Sequence, residues 1–179
     1  MTPDTIINFW FEEIAPKCHW VKDHDFDEQL RLRFGSLLKQ AKAGELYHWR
    51  VTPLGRLAEI IVLDQFSRNI FRDTPQAFTA DPMALTLAQE AVASGVDLEL
   101  KAKQVPFLFM PYMHSESKRI HEVAIILFSR EAALVSLNFE QRHKAIIDRF
   151  GRYPHRNVIL GRSSTADELE FLSQPGSSF

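Results

Sequence analysis

The sequence predicts an all-α protein, and three observations carry that expectation. Apolar residues recur at the 3.6-residue spacing of an amphipathic helix in one segment after another. Thr-Pro and Asp-Pro pairs open these segments and glycines close several of them. No stretch alternates apolar and polar residues over a strand's length, and Val158 to Leu160 is too short to read as one. With 179 residues, 45% of them hydrophobic, the chain fits a single all-helical domain, residues 1–179, with a sizeable core.

Taken in order, Thr2-Pro3 caps and opens a helix reaching to about Ile14. Phe26, Leu30, Phe34, Leu37, Leu38 and Ala41 share the face of a second helix that stops at Gly44. Thr52-Pro53 opens a third, in which Leu57, Ile60, Ile61 and Asp64 form a stripe while Leu54, Ala58, Val62 and Leu63 fill the other faces. A helix apolar nearly all round belongs at the centre of the fold. Asp81-Pro82 opens a fourth, with Ala84, Leu87, Ala88, Ala91 and Val92 facing inward and Gly95 at its end. Pro106 to Pro111 is read as a short helix or turn. Ser115 is read as the start of a helix carrying Ile120, Val123, Ala124, Leu127 and Phe128. Asn138-Phe-Glu-Gln141 and Thr165-Ala-Asp-Glu168 both have capping-box spacing. A helix to about Phe150 and then a loop lie between those boxes. Phe9, Trp10, Phe11, Trp20 and Trp49 are assigned to the core, and the tail from Gln174 to Phe179 is expected to fray. No repeat of fixed period is visible, although the spacing of caps and breakers suits successive antiparallel helix pairs.

Composition narrows the function. Cys18 is the only cysteine, so neither an internal disulfide nor a four-thiolate zinc site can form. The N-terminus lacks a basic region and Glu12-Glu13 interrupts its apolar stretch. No signal peptide is expected and the cytoplasm is the default location. The longest apolar run, Val105 to Met113, holds two prolines and is far shorter than the roughly 20 residues of a membrane span. Net charge is −2, unevenly spread. Between Arg142 and Arg162 six Lys or Arg stand against one acid, Asp148, giving +5 and leaving −7 elsewhere. The acidic remainder argues against a nucleic-acid partner, though Tyr153, His155 and the arginines could stack on and pair with single-stranded RNA.

Three constellations could carry chemistry. The first is Arg149-Phe-Gly-Arg-Tyr-Pro-His-Arg-Asn-Val-Ile-Leu-Gly-Arg162, a long connection leading into the Thr165 helix start. Its guanidinium groups could bind a carboxylate or phosphate, or could pair with acids and pin the loop. The second is Asp64-Gln-Phe-Ser-Arg-Asn-Ile70, at the C-terminal end of the most buried helix. A carboxylate there requires a partner, and Arg149 or Arg152 are the candidates. The third is His114-Ser-Glu116, in which His114 could act as a base and Glu116 sits near a helix start. His-x-Glu matches part of a zinc deaminase motif, but the paired cysteines are missing. Glu45…His48 and Glu140…His143 have the spacing of di-iron ligands; the first lies at the Gly44 break, and His143 shares an apolar stripe. No metal or other cofactor is expected.

Phe9-Trp-Phe11, Leu63-Asp-Gln-Phe-Ser-Arg-Asn69, Pro111-Tyr-Met-His-Ser-Glu116, Arg149-Phe-Gly-Arg-Tyr-Pro-His-Arg-Asn157 and Leu160-Gly-Arg162 resemble the bacterial family called domain of unknown function 924. The resemblance covers nearly the whole chain. It implies a tetratricopeptide-like fold of stacked helix pairs and no established activity. Ser67 stands where the family pattern leads one to expect proline, at what is read as a turn after Gln65.

The leading expectation is a helical-repeat-like module binding an anionic small molecule or peptide carboxylate. Arg68, Arg149, Arg152, His155, Arg156 and Arg162 would supply positive charge, and Gln65, Asn69 and Asn157 directional hydrogen bonds. The alternative is a hydrolase or transferase with His114 or His155 as base and Asp64 or Glu116 as its orienting carboxylate. The oligomeric state is left open.

Overall fold

The computed structural model describes residues 1–178, and all regular structure among them is helical. Helix α1, Pro3–Asn8, is capped by the Thr2 side chain and runs on through a wider π-type turn, Phe9–Glu13. Helix α2, His24–Lys42, starts behind Asp23, whose carboxylate accepts from the amides of Asp25 and Phe26. Helix α3, Pro53–Ile61, is capped by Thr52 and continues through a second π-type turn, Val62–Phe66, into α4, Ser67–Ile70. Then follow α5, Asp81–Ala93; α6, Val105–Met113; α7, Lys118–Phe128; α8, Leu137–Phe150; and α9, Ala166–Leu172.

Helix α3 is the hub. It packs on α1, α5 and α6, while α2 covers the second π turn and α4. Leu57, Ile60, Ile61, Val62, Leu63 and Phe66 are all fully buried, as expected of a helix apolar on every side. Phe34 sits between Phe9 and Phe66, with ring centroids 4.8 and 5.0 Å away. From α5 onward consecutive helices pack on one another, α5 on α6, α6 on α7 and α7 on α8. A smaller cluster of Ile146, Ile147 and Tyr153, joined by Phe150 and Phe171, anchors the C-terminal segment.

Of the short helix or turn expected at Pro106 to Pro111 the structure has the helix, α6, buried along its whole length, while several other local expectations are corrected. Pro106 occupies the first turn, where its missing N–H is no loss, and packing on all sides holds the helix despite Pro111. His114 caps the end of α6, and the next helix begins at Lys118 behind Ser117 rather than at Ser115. Asn138 caps nothing: α8 begins at Leu137 behind Ser136, with no side-chain cap, and Glu140 turns inward to His121. Asp81 lies inside the first turn of α5 behind Ala80, which frees its carboxylate for other partners. Ser67 does not turn the chain, because its backbone is helical and α4 continues from it. Trp20 is 65% exposed, stacked on Phe107 at the surface, whereas Trp10 and Trp49 are core. In the tail Ser177 is buried and its hydroxyl donates to the Leu172 carbonyl; Phe179 lies outside the described residues. Among those residues no helix is long and apolar enough to cross a membrane.

One glycine is required by close approach. A Cβ on Gly55 would sit 1.9 Å from the Trp49 carbonyl oxygen, whereas one on Gly35, inside α2, would meet nothing within 4 Å. Gly55→Ala is expected to destabilise the protein by about 1–3 kcal/mol through overpacking. Gly35→Ala is expected to stabilise it by about 0.5–1 kcal/mol through reduced backbone entropy loss. Urea denaturation of both variants checks the pair, and equal midpoints would refute the assigned packing.

Candidate functional site

The π-type turn at Val62–Phe66 carries Asp64 and Gln65 into the interior, with Asp64 only 1% exposed. Turns of this kind interrupt the regular hydrogen-bond register and often occur at functional sites. The Asp64 charge is met from three sides. His114 Nδ1 lies 2.8 Å from Oδ1, Arg68 Nη1 lies 3.1 Å from the same oxygen, and Gln65 Nε2 donates to Oδ2 at 2.6 Å. Burial by itself would raise the carboxyl pKa, but Arg68, His114 and Gln65 outweigh it and hold the group well below the usual carboxylate range. The partner is therefore not Arg149 or Arg152. Arg68 stands one helical turn beyond Asp64 and reaches it directly. Arg152 lies beyond the left-handed Gly151 (φ +70°) and turns toward α9, and Arg149 is exposed over the Phe150 ring.

His114 is pushed toward its neutral form by burial and by Arg68, against the pull of Asp64. A neutral ring beside an ionised carboxylate carries its proton on Nδ1, directed at Asp64, and a lone pair on Nε2. The His114 side chain is 17% exposed, and its Nε2 makes no hydrogen bond among the described residues. This arrangement orients a base.

Two guanidinium groups flank the pair. Arg68 forks onto Asp81 with both contacts at 3.0 Å and also donates to the Asp64 carbonyl. Arg156, 6% exposed, donates from Nη2 to the His114 carbonyl at 3.0 Å, and its Nη1 lies 3.8 Å from Asp81. Its guanidinium sits between the rings of Phe78 and Tyr153, 4.7 and 4.4 Å from their centroids. Its Nε is buried without a hydrogen-bond partner. Burial and the neighbouring Arg68 charge bring its pKa down to about 10, so positive charge here is incompletely compensated.

Two further loop cations, Arg162 and Arg152, are committed to the fold. Arg162 forks onto Glu116 at 2.6 and 3.0 Å, and the Tyr153 amide donates to the same carboxylate. Glu116 thus lies between α6 and α7 and holds the loop rather than sitting in a helix's first turn. Arg152 forks onto Glu168 at 2.6 and 2.8 Å. Glu168 also closes the Thr165 capping box and accepts from Asn157, so its pKa falls to about 2, chiefly through Arg152. Asn157 accepts from Arg162 Nε, and Asn69 donates to Asp27. The His155 ring lies 5.5 Å from Tyr153, and burial and Arg156 bring its pKa down to about 4. The arginine segment, Asp64-Gln65 and His114-Glu116 therefore do converge, with Arg156 and Glu116 as the links.

Sequence reasoning missed Asp81, Glu168 as an ion-pair partner, and the fully buried His121–Glu140 pair, 2.7 Å apart. His121 lay one helical turn before Ile125 and after Ser117, without a feature that separated it from a core residue. A cavity of about 330 Å³ lies elsewhere, lined by His24, Asp27, Arg31, Arg72 and Asp73, and of the anticipated residues by Asn69. Among the described residues no three His, Cys, Asp or Glu side chains group as metal ligands.

Acid stability follows from the buried rings. Burial brings His143 down to about 3 and His155 to about 4, against an unfolded value of about 6.5. The unfolded chain then binds protons that the native state refuses. Stability is complete above about pH 6.5 and falls as pH drops toward 4, at about 1.4 kcal/mol per pH unit for each ring. His143→Gln is expected to remove its own share of that slope, up to about 1.4 kcal/mol per pH unit, in urea titrations between pH 6.5 and 4.5. An unchanged slope would show that His143 protonates normally in the native state.

The chain resembles a solved structure, that of a protein of unknown function from Agrobacterium tumefaciens. The two share 33% sequence identity, each is covered over 96% of its length, and the TM-score is 0.90. No curated protein matches the chain. The model of one bacterial family, DUF924, matches residues 6–176. The geometry above is therefore that of a member of this family: the chain belongs to DUF924, the bacterial proteins of unknown function.

Proposed function

We propose that the protein is a cytoplasmic binding module of tetratricopeptide-like architecture that holds a small anionic molecule, a carboxylate or a phosphorylated compound, at Arg68, Arg156 and His114. The observation supporting this reading is Arg156. Its buried guanidinium lies beside a second one, shares Asp81 unequally with it, and keeps an unpartnered Nε. Holding two like charges together in a buried setting is costly, and an anion would relieve that cost. The site is narrower than the arginine count implied, because Arg152 and Arg162 already serve Glu168 and Glu116.

The reading predicts that inorganic phosphate or citrate raises the melting temperature saturably at constant ionic strength, as ligand linkage requires. The shift should be lost in Arg156→Gln and kept in Arg149→Gln. An equal shift in a folded Arg156→Gln protein removes the reading.

A second reading, an enzyme working by proton transfer, is favoured by the 2.8 Å contact between Asp64 and His114 and by the unbonded Nε2. Under it, turnover of activated esters would rise with pH through a pKa below the ordinary histidine value and vanish in His114→Gln. A rate indifferent to His114 argues against it.

A further inference from the structure

The Asp64–His114 pair has a chemical capacity that anion binding leaves unused. The Nδ1–H of His114 is committed to a buried carboxylate, while Nε2 reaches solvent with its lone pair unengaged among the described residues. Both guanidinium groups are tied to this histidine. Arg68 touches the same Asp64 oxygen that His114 does, and Arg156 donates to the His114 carbonyl. An imidazole fixed in one tautomer, with an accessible neutral nitrogen, is a nucleophile. Guanidinium forks beside it suit the oxygens of a phosphoryl group. The fully buried His121 lacks this capacity, since its ring nitrogens lie 2.7 Å from Glu140 and 2.8 Å from the Ser115 carbonyl.

We propose that His114 accepts a phosphoryl group on Nε2 from a small acyl phosphate, with Arg68 and Arg156 holding the phosphoryl oxygens. The proposal rests on the anion-site reading above and gives that site a covalent role. In the step, the Nε2 lone pair forms the N–P bond while the P–O bond to the acyl group breaks. The bonding pair leaves with the carboxylate. Nothing is oxidised or reduced, and no proton has to depart. The Nδ1 proton stays on the ring facing Asp64, whose negative charge offsets the positive charge the ring acquires. The incoming phosphoryl group also brings negative charge to Arg156, whose share of Asp81 lies 3.8 Å away and whose Nε has no hydrogen-bond partner.

The test is to incubate the purified full chain with acetyl phosphate at neutral pH and to follow intact mass and phosphorus NMR without acidification. The expected result is one phosphoryl group per chain, labile to acid and stable to base, mapping to residue 114 in peptides from the wild-type protein. Asp64→Asn, which keeps the side-chain shape but not the charge, should slow labelling by about tenfold or more. Arg156→Lys should slow it as well, and Arg149→Gln should label at the wild-type rate. Peptide mapping of the wild type decides the site even where a variant fails to fold. Labelling at the exposed His24 or His48 instead, or no labelling of the folded wild type, overturns the proposal. Where phosphate still raises the wild-type melting temperature in the absence of labelling, this inference alone fails. Where phosphate does neither, the anion-site reading fails with it.

Discussion

A carboxylate held at 1% exposure in the most buried helix is the constraint on which the rest of the molecule depends. An isolated charge in that position would cost several kcal/mol, so Asp64 has to be met by donors, and each donor makes a demand of its own. Arg68 answers from one turn further along and then needs Asp81 for its remaining fork, which fixes the start of α5. His114 answers from the end of α6. The carbonyl of His114 receives Arg156, and so the C-terminal loop is drawn onto the same cluster. Compensation of one charge thus ties four segments distant in sequence into one arrangement.

The basic segment is neutralised in a graded way. Arg162 and Arg152 have acids to themselves, Glu116 and Glu168, and each of those acids also accepts backbone amide protons. Removing either arginine would strand a largely buried carboxylate, which costs more than the pair is worth in net stability. Arg156 has no acid to itself. It relies on two aromatic rings and a distant share of Asp81. The difference separates cations that build the loop from one that stays electrostatically unsatisfied, although all of them contribute equally to the +5 count.

The buried ring cluster behind the loop sets a separate condition. Tyr153 is fully buried, donates its hydroxyl to the Met113 carbonyl at 2.5 Å, and lies against His121, His143 and His155. The desolvation of His143 and His155 is tolerated at neutral pH and becomes a liability in acid.

What was legible in the sequence was local. Thr2, Thr52 and Thr165 cap helices as their neighbours dictate, Gly151 ends α8 in the left-handed region, and α3 is central because no face of it is polar. Such features depend on groups within about four residues, so a linear reading reaches them. Even here Asn138-Phe-Glu-Gln141 fails as a capping box, because α8 starts at Leu137 and Asn138 already lies inside its first turn. The pairing of charges was decided only by the tertiary structure. Asp64 meets His114 across 50 residues and Arg162 meets Glu116 across 46. Among many oppositely charged groups, packing selects which ones arrive together in a place dry enough to make their attraction matter. The sequence by itself therefore determined the all-helical fold and left open whether the C-terminal cations pair internally or bind an anion. Tertiary packing brought Asp64, His114, Arg68 and Arg156 together, because desolvation acts on neighbours in space.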